Sequence, residues 1–234
     1  MRSQNDLSLK NFRSMWRIRR AHRDKIIEQP RSVYRYMDQK YIDLFFDDGT
    51  LKLSSFESNR NIEDAIRKDK NEGTGDHFVI SRDRKRVLPM KARAFDHRMF
   101  CTSFSADTEG MMKHFNKNGC FEIINTTGFG YEVARSLEQF QFGLEGIVTY
   151  KNNCKIYLPL ERHQYLPDLM NDVPPNEILF LYLDFLGRTN FDIFFTKNNQ
   201  FESEHEYRFT WKCKPNHSIY IKCPGAIKYC RKIT

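Results

Sequence analysis

Strand-like runs recur along the whole chain with helical stretches falling irregularly between them, and that ordering most constrains the fold. Alternating or β-rich segments lie at 33–37, 50–54, 100–104, 120–124, 146–150, 191–195, 207–211 and 219–221. Helical periodicity marks 9–28, where Leu9, Phe12, Met15, Trp16, Ile26 and Ile27 recur near a 3.6 period and Pro30 ends the run. A second helical pattern follows Asp38, a residue suited to an N-cap, through Tyr41, Leu44, Phe45 and Phe46, with Asp47-Asp48-Gly49 as a turn behind it. Two more are predicted over 109–116, with Met111, Met112 and Phe115 as its buried stripe, and over 178–186 behind Pro174-Pro175. Segment 57–75 reads as a partly helical excursion and loop. This is not a strict strand–helix alternation, so the expected class is α+β. A basic helix over 1–30 precedes one domain over 31–234.

Aromatic content allows a substantial core: 20 Phe, 11 Tyr and 2 Trp in 234 residues. Wholesale disorder is excluded on the same ground. No apolar run approaches the ~18 residues of a membrane span. The charged start of the chain lacks the apolar stretch of a secretory signal, and six Cys without an export signal read as reduced thiols. The expectation is a cytoplasmic protein that does not enter the membrane.

The net charge of +8 is clustered. Residues 1–25 carry eight Lys/Arg, residues 82–98 carry seven, and the stretch from Arg208 onward carries seven with no acid. Three basic segments on one face would suit a polyanion, nucleic acid first; an acidic protein partner or three separate solvated faces fit the same pattern.

Nucleotide-binding glycine loops and the G-x-S-x-G of hydrolases are absent from the sequence. Cys213, His217, Cys223 and Cys230 lack the spacing of a zinc module, so no metal site is expected. Cys101 paired with a histidine would be weak grounds for a thiol nucleophile.

The segment Phe201-Glu202-Ser203-Glu204-His205-Glu206-Tyr207-Arg208-Phe209 carries more. A strand entered at Glu204 puts Glu204, Glu206 and Arg208 on one face and His205, Tyr207 and Phe209 on the other. Two carboxylates on one strand face repel unless a cation or a substrate uses them. A solvated surface strand screened by Arg208 is the plain alternative.

Arg35 on an early strand, hydroxyls at the end of a middle strand and E-x-E opening a late strand, in that order, resemble the Arg-Ser-Glu class of ADP-ribosyltransferases. The middle motif departs from the usual S-T-S and reads Cys101-Thr102-Ser103 or Ser103-Phe104-Ser105. Over about 33–211 the succession also resembles a bacterial domain family of unknown function found in phage-defence and toxin loci, although Asn59-Arg60-Asn61 stands where that family has Asn-Asp-Pro.

The resemblance implies a split mixed or antiparallel sheet and NAD as substrate. In it, Glu206 stabilises the ribose oxocarbenium and holds the 2′-hydroxyl, and Arg35 pairs with phosphate or ribose. Ser103, with Thr102 or Ser105, braces ribose and Glu206. Glu204 orients or deprotonates the acceptor, and Tyr34, Tyr36 and Phe104 face nicotinamide or else pack in the core. The loop 196–203 meets the target, with Phe201 on a base or protein surface or else in the core. Arg17, Arg19 and Arg20 complete the expected target contact. Defence context implies nucleic acid, RNA before DNA, as acceptor, and an antitoxin and chaperone as partners. The precedent is the mRNA-modifying transferase toxin of a toxin–antitoxin–chaperone system. Open alternatives are a protein-modifying transferase, a nuclease toxin using Glu204, His205 and Glu206, and a non-catalytic binding module.

Overall fold

The structure, a computed structural model, describes residues 7–22, 25–61, 69, 72–80, 87–94, 97–152, 155–158, 192–213 and 218–233. The helix expected over 9–28 stops early. Helix α1 (Leu9–Met15), capped by the Ser8 hydroxyl, gives way to β1 (Trp16–Ile18) and to a two-stranded hairpin of β2 (Ala21–His22) and β3 (Lys25–Ile26). The reason is tertiary. Trp16 is drawn into the sheet, where its indole N–H donates to Glu145 at 3.0 Å and its ring lies over Gly143. A Cβ at Gly143 would stand 2.0 Å from that ring, so only glycine admits the indole.

Further along, β4 (Val33–Met37), α2 (Gln39–Asp48) and β5 (Thr50–Ser55) follow the sequence reading. Gly49 closes α2 at φ 77°, the left-handed conformation that favours glycine at a helix end. Asp38 holds the N-cap position without capping: it pairs with Lys117 at 2.8 Å, and the Gln39 N–H donates to Asn118 instead. Helix α3 (Phe56–Arg60) is held by a reciprocal Ser55/Ser58 capping box.

The next elements are β6 (Thr74–Ile80), β7 (Val87–Arg93), β8 (His97–Ser103), α4 (Thr108–His114), β9 (Gly119–Ile123), α5 (Thr126–Arg135), β10 (Phe142–Ile147), β11 (Thr149–Lys151) and β12 (Lys155–Leu158). The predicted strand 146–150 is thus two strands that part at Val148, whose N–H donates to the Glu206 carbonyl. Residues 191–195, expected extended, contain a 3-10 turn over Asp192–Phe195, which the Thr196 hydroxyl closes onto the Asp192 carbonyl. Strand β13 (Thr196–Asn198), a 3-10 turn over Asn199–Glu204, β14 (Glu206–Lys212), β15 (Ile219–Lys222), a 3-10 turn over Pro224–Tyr229 and β16 (Cys230–Ile233) complete the fold. The predicted helix 178–186 lies outside the described residues.

The main sheet is mixed, and the class is α+β. Its order is β1-β10-β14-β8-β4-β9-β16, with β1 and β10 parallel and the other pairs antiparallel. Smaller ladders join β11 to β13, and β12 to β6, which pairs in turn with β7. The sheet divides at β8. One edge of β8 is paired with β14 along its whole length; the other meets β5 at Arg98 and Met99 and β4 only at Ser103. Between those contacts, Phe100, Cys101 and Thr102 have no strand partner on that edge among the described residues. The Arg35 guanidinium fills the gap by donating to the Cys101 carbonyl at 2.5 Å.

Beneath the sheet runs a file of rings: Phe12, Trp16, Trp211, Phe209, Phe129 and Phe100, with neighbouring centroids 5.0–6.0 Å apart. These rings lie in the main buried cluster and end under Arg35, whose guanidinium stands 4.8 Å from the Phe100 centroid.

Candidate functional site

A cleft of about 410 Å³ opens where the sheet divides, and Arg35, Ser103, Glu204 and Glu206 all line it. The β8–β14 register explains the convergence. Ser103 lies opposite Glu206 and Cys101 opposite Arg208, so these four residues share the cleft-side face of two neighbouring strands.

Glu204 arrives by another route. Strand β14 begins at Glu206, not at Glu204, and Glu204 ends the preceding 3-10 turn. His205 joins them in the left-handed conformation at φ 46°, where a non-glycine residue is uncommon. That turn brings both acids onto one cation: Lys197 Nζ lies 2.7 Å from Glu204 Oε2 and 3.2 Å from Glu206 Oε2. His205 itself is exposed and sits edge-on to Phe104.

The other oxygen of Glu206 accepts from Arg208 Nε at 2.7 Å. Arg208 also places a terminal nitrogen 2.8 Å from Glu72 Oε1, an ion contact off hydrogen-bond alignment, and donates to the Phe194 carbonyl at 2.6 Å. The Tyr150 hydroxyl accepts the Glu206 backbone N–H at 2.8 Å. The cluster therefore sets Glu72, Glu204 and Glu206 against Lys197 and Arg208, with most of it out of water.

Their proton affinities are pushed apart. Burial works to raise Glu206, but Arg208 and Lys197 outweigh it, and its carboxyl stays well below the usual carboxylate range. At Glu204, burial prevails over Lys197 and the carboxyl rises above its ordinary value. Glu72 is raised by burial in the same way. Burial, reinforced by the Glu206 charge, keeps Cys101 a neutral thiol, which removes it as a thiolate nucleophile. The result is one firmly ionised carboxylate beside one able to take a proton, the separation that acid–base chemistry uses.

The remaining predicted contacts divide. Tyr36 lines the cleft, stacks on Phe115 and donates its hydroxyl to the Ser105 carbonyl at 3.1 Å. Thr102 also lines it, but its hydroxyl is committed to the Tyr207 carbonyl at 2.8 Å, which ties β8 to β14. Ser105 is not among the lining residues; its N–H donates to the Ser103 hydroxyl at 3.1 Å, so of the two serines Ser103 is the one facing Glu206.

Two of the expected target contacts, Phe201 and Arg19, are buried instead. Phe201 is only 6% exposed and lies under Lys197, whose Nζ is 4.6 Å from its centroid, so the ring is core. Arg19 is 9% exposed and acts as an internal strut to the Ile147 carbonyl, Thr149 and Asp192. Arg17 and Arg20 are exposed but flank that buried residue on a short strand and its exit, not on the helix expected there.

Lys197, Glu72 and Tyr150 were not singled out from the sequence. Each sits in a polar or mixed stretch, and their partners lie far away along the chain. For the zinc set, His217 lies outside the described residues, and no group of three metal-ligating side chains occurs among those described. No protein-family profile, curated protein or solved structure matches the chain.

Proposed function

We propose that the protein is an NAD-dependent mono-ADP-ribosyltransferase. The observation that carries this reading is the meeting of Arg35, Ser103 and Glu206 in one cleft, at the point where the sheet parts. Glu206 supplies a fixed negative charge for an oxocarbenium-like ribose. Arg35, partly buried and donating to the Cys101 carbonyl, brings to the cleft a planar guanidinium of the kind that pairs with phosphate or ribose.

In the reaction the nicotinamide–ribose C–N bond breaks, and nicotinamide leaves with the bonding electron pair. The acceptor then bonds to the ribose carbon and yields its proton to Glu204, whose raised proton affinity suits a base. Ser103, opposite Glu206, braces the ribose. The acceptor that best fits a basic chain is nucleic acid, RNA in particular, and a protein side chain is the alternative for the same chemistry.

The test is incubation of purified protein with labelled NAD and, separately, RNA, DNA and cell-lysate protein. Label on one class, lost in a folded Glu206→Gln variant, supports the reading and names the acceptor class. Absence of label and of NAD turnover, with the protein folded and free of any bound inhibitor, overturns it.

A further inference from the structure

Lys197 is an unusual residue to find in this position. It occurs in a polar run, Thr196-Lys197-Asn198, yet it is 5% exposed and lines the cleft. Strand β13 pairs only with β11 among the described residues, in a register that sets Lys197 against Tyr150. The Tyr150 hydroxyl in turn receives the Glu206 N–H. A three-residue ladder thus delivers one ammonium to the junction of Glu204 and Glu206 and fastens the start of β14 beside it.

Burying an ammonium costs several kcal/mol, and an apolar side chain of similar length would fill this space at lower cost. The charge therefore calls for a role beyond packing. Without it, Glu204 and Glu206 face one another with no cation between them, and like charge plus the bend at His205 would drive Glu204 outward.

We propose that Lys197 is a positioning residue of the cleft: its ammonium, set between the Glu204 and Glu206 carboxylates, fixes their spacing and screens their mutual repulsion. This rests on the transferase reading for its kinetic consequence, while the electrostatic part stands independently. The groups that share the site are Glu72 ahead of β6, Cys101 on β8, Tyr150 on β11, Glu204 on the 3-10 turn, and Glu206 and Arg208 on β14; Asp69 acts on Glu72. Arg208 keeps Glu206 partly neutralised in every Lys197 variant, so the larger change falls on Glu204, which has Lys197 as its one ion-pair partner among the described residues.

The test compares wild type with Lys197→Met and Lys197→Arg, with Lys197→Gln replacing the methionine variant should that one fail to fold. In turnover, the neutral variant loses about 100-fold in kcat, the scale of one preorganised charge, while KM for NAD stays within about threefold because binding is not its task. The acid limb of its pH profile moves up by about one unit, and Lys197→Arg recovers at least about tenfold of the rate because it restores the charge. In parallel, carbon-13 NMR follows the glutamate carboxyls through a pH titration, with Glu204→Gln and Glu206→Gln to assign them. An upward move of the Glu204 titration in the neutral variant supports the proposal even if wild type proves to have no NAD turnover, an outcome that would remove only the transferase reading. Unchanged carboxyl titrations, or a kcat and pH profile within twofold of an active wild type, overturn it.

Discussion

The two faces of β14 are both buried, yet they are held by different physics. On one face Tyr207, Phe209 and Trp211 join the ring file and the main apolar cluster. On the other, Glu206 and Arg208 are as deeply enclosed and are held by each other and by Lys197, Glu72, Cys101 and the Phe194 carbonyl. Apolar packing stabilises in proportion to area and accepts neighbours of many shapes. A buried charge requires its particular partner, and removing one member strands the rest. One strand therefore carries a face that fixes the fold and a face whose residues are constrained by chemistry.

The contrast breaks most visibly in stability. Trp211→Ala should cost about 3–5 kcal/mol in urea unfolding, with no second substitution nearby that restores it. Arg208→Met should cost a similar amount, about 3–5 kcal/mol, because Glu72 and Glu206 lose a shared cation. Here a second change does help: adding Glu72→Gln should return about 1 kcal/mol or more, a coupling readable in a double-mutant cycle. Recovery on the apolar face, or none on the charged face, would erase the distinction.

Acidification sharpens it. Glu206 has a folded-state proton affinity well below its ordinary value, so its stabilisation is complete above the unfolded value of 4.5 and is lost as pH falls below it. The melting-temperature advantage of wild type over Glu206→Gln should shrink steadily below that pH. The deficit of Trp211→Ala against wild type should not follow the same trend, since the indole does not titrate.

Smaller effects come next. Ser103→Ala removes the acceptor of the Ser105 N–H and the hydroxyl facing Glu206; about 1 kcal/mol of stability is expected to go with it, and under the proposed transferase function NAD turnover should drop as well. Least of all, Arg20→Gln should change stability by no more than about 0.5 kcal/mol. Arg19→Gln, one residue away in the same basic run, should cost several times more because it cuts the strut to Asp192.

That last pair shows where the sequence can be read and where it cannot. The alternation of Tyr207, Phe209 and Trp211 with Glu206 and Arg208 follows from the two-residue period of a strand, and the placement of those side chains was legible. So were β4, α2, β5 and, to within one residue, the end of β8, whose patterns are local. Arg19 looks like its neighbours because its partner is 173 positions away. Lys197 and Glu72 are equally silent: nothing adjacent to them announces a carboxylate or guanidinium brought in by the sheet. Glu204 was expected beside Glu206 for a different reason than the one found, since an extended strand was assumed where His205 makes a left-handed bend. The helix over 9–28 failed because periodicity cannot register that Gly143 leaves room for Trp16.

The parallel pairing of residues 16–18 with 143–145 has a consequence in time. A ribosome adds about 5–20 residues per second, so the basic segment around Arg17 waits for well over a hundred further residues before its docking strand exists. Strand β10 in turn is flanked by β14, which is made later still. Throughout that interval Trp16 and Arg19, both enclosed in the finished molecule, are exposed on a nascent chain. A protein that binds newly made chains through aromatic and basic side chains would find this segment open during synthesis and closed after it.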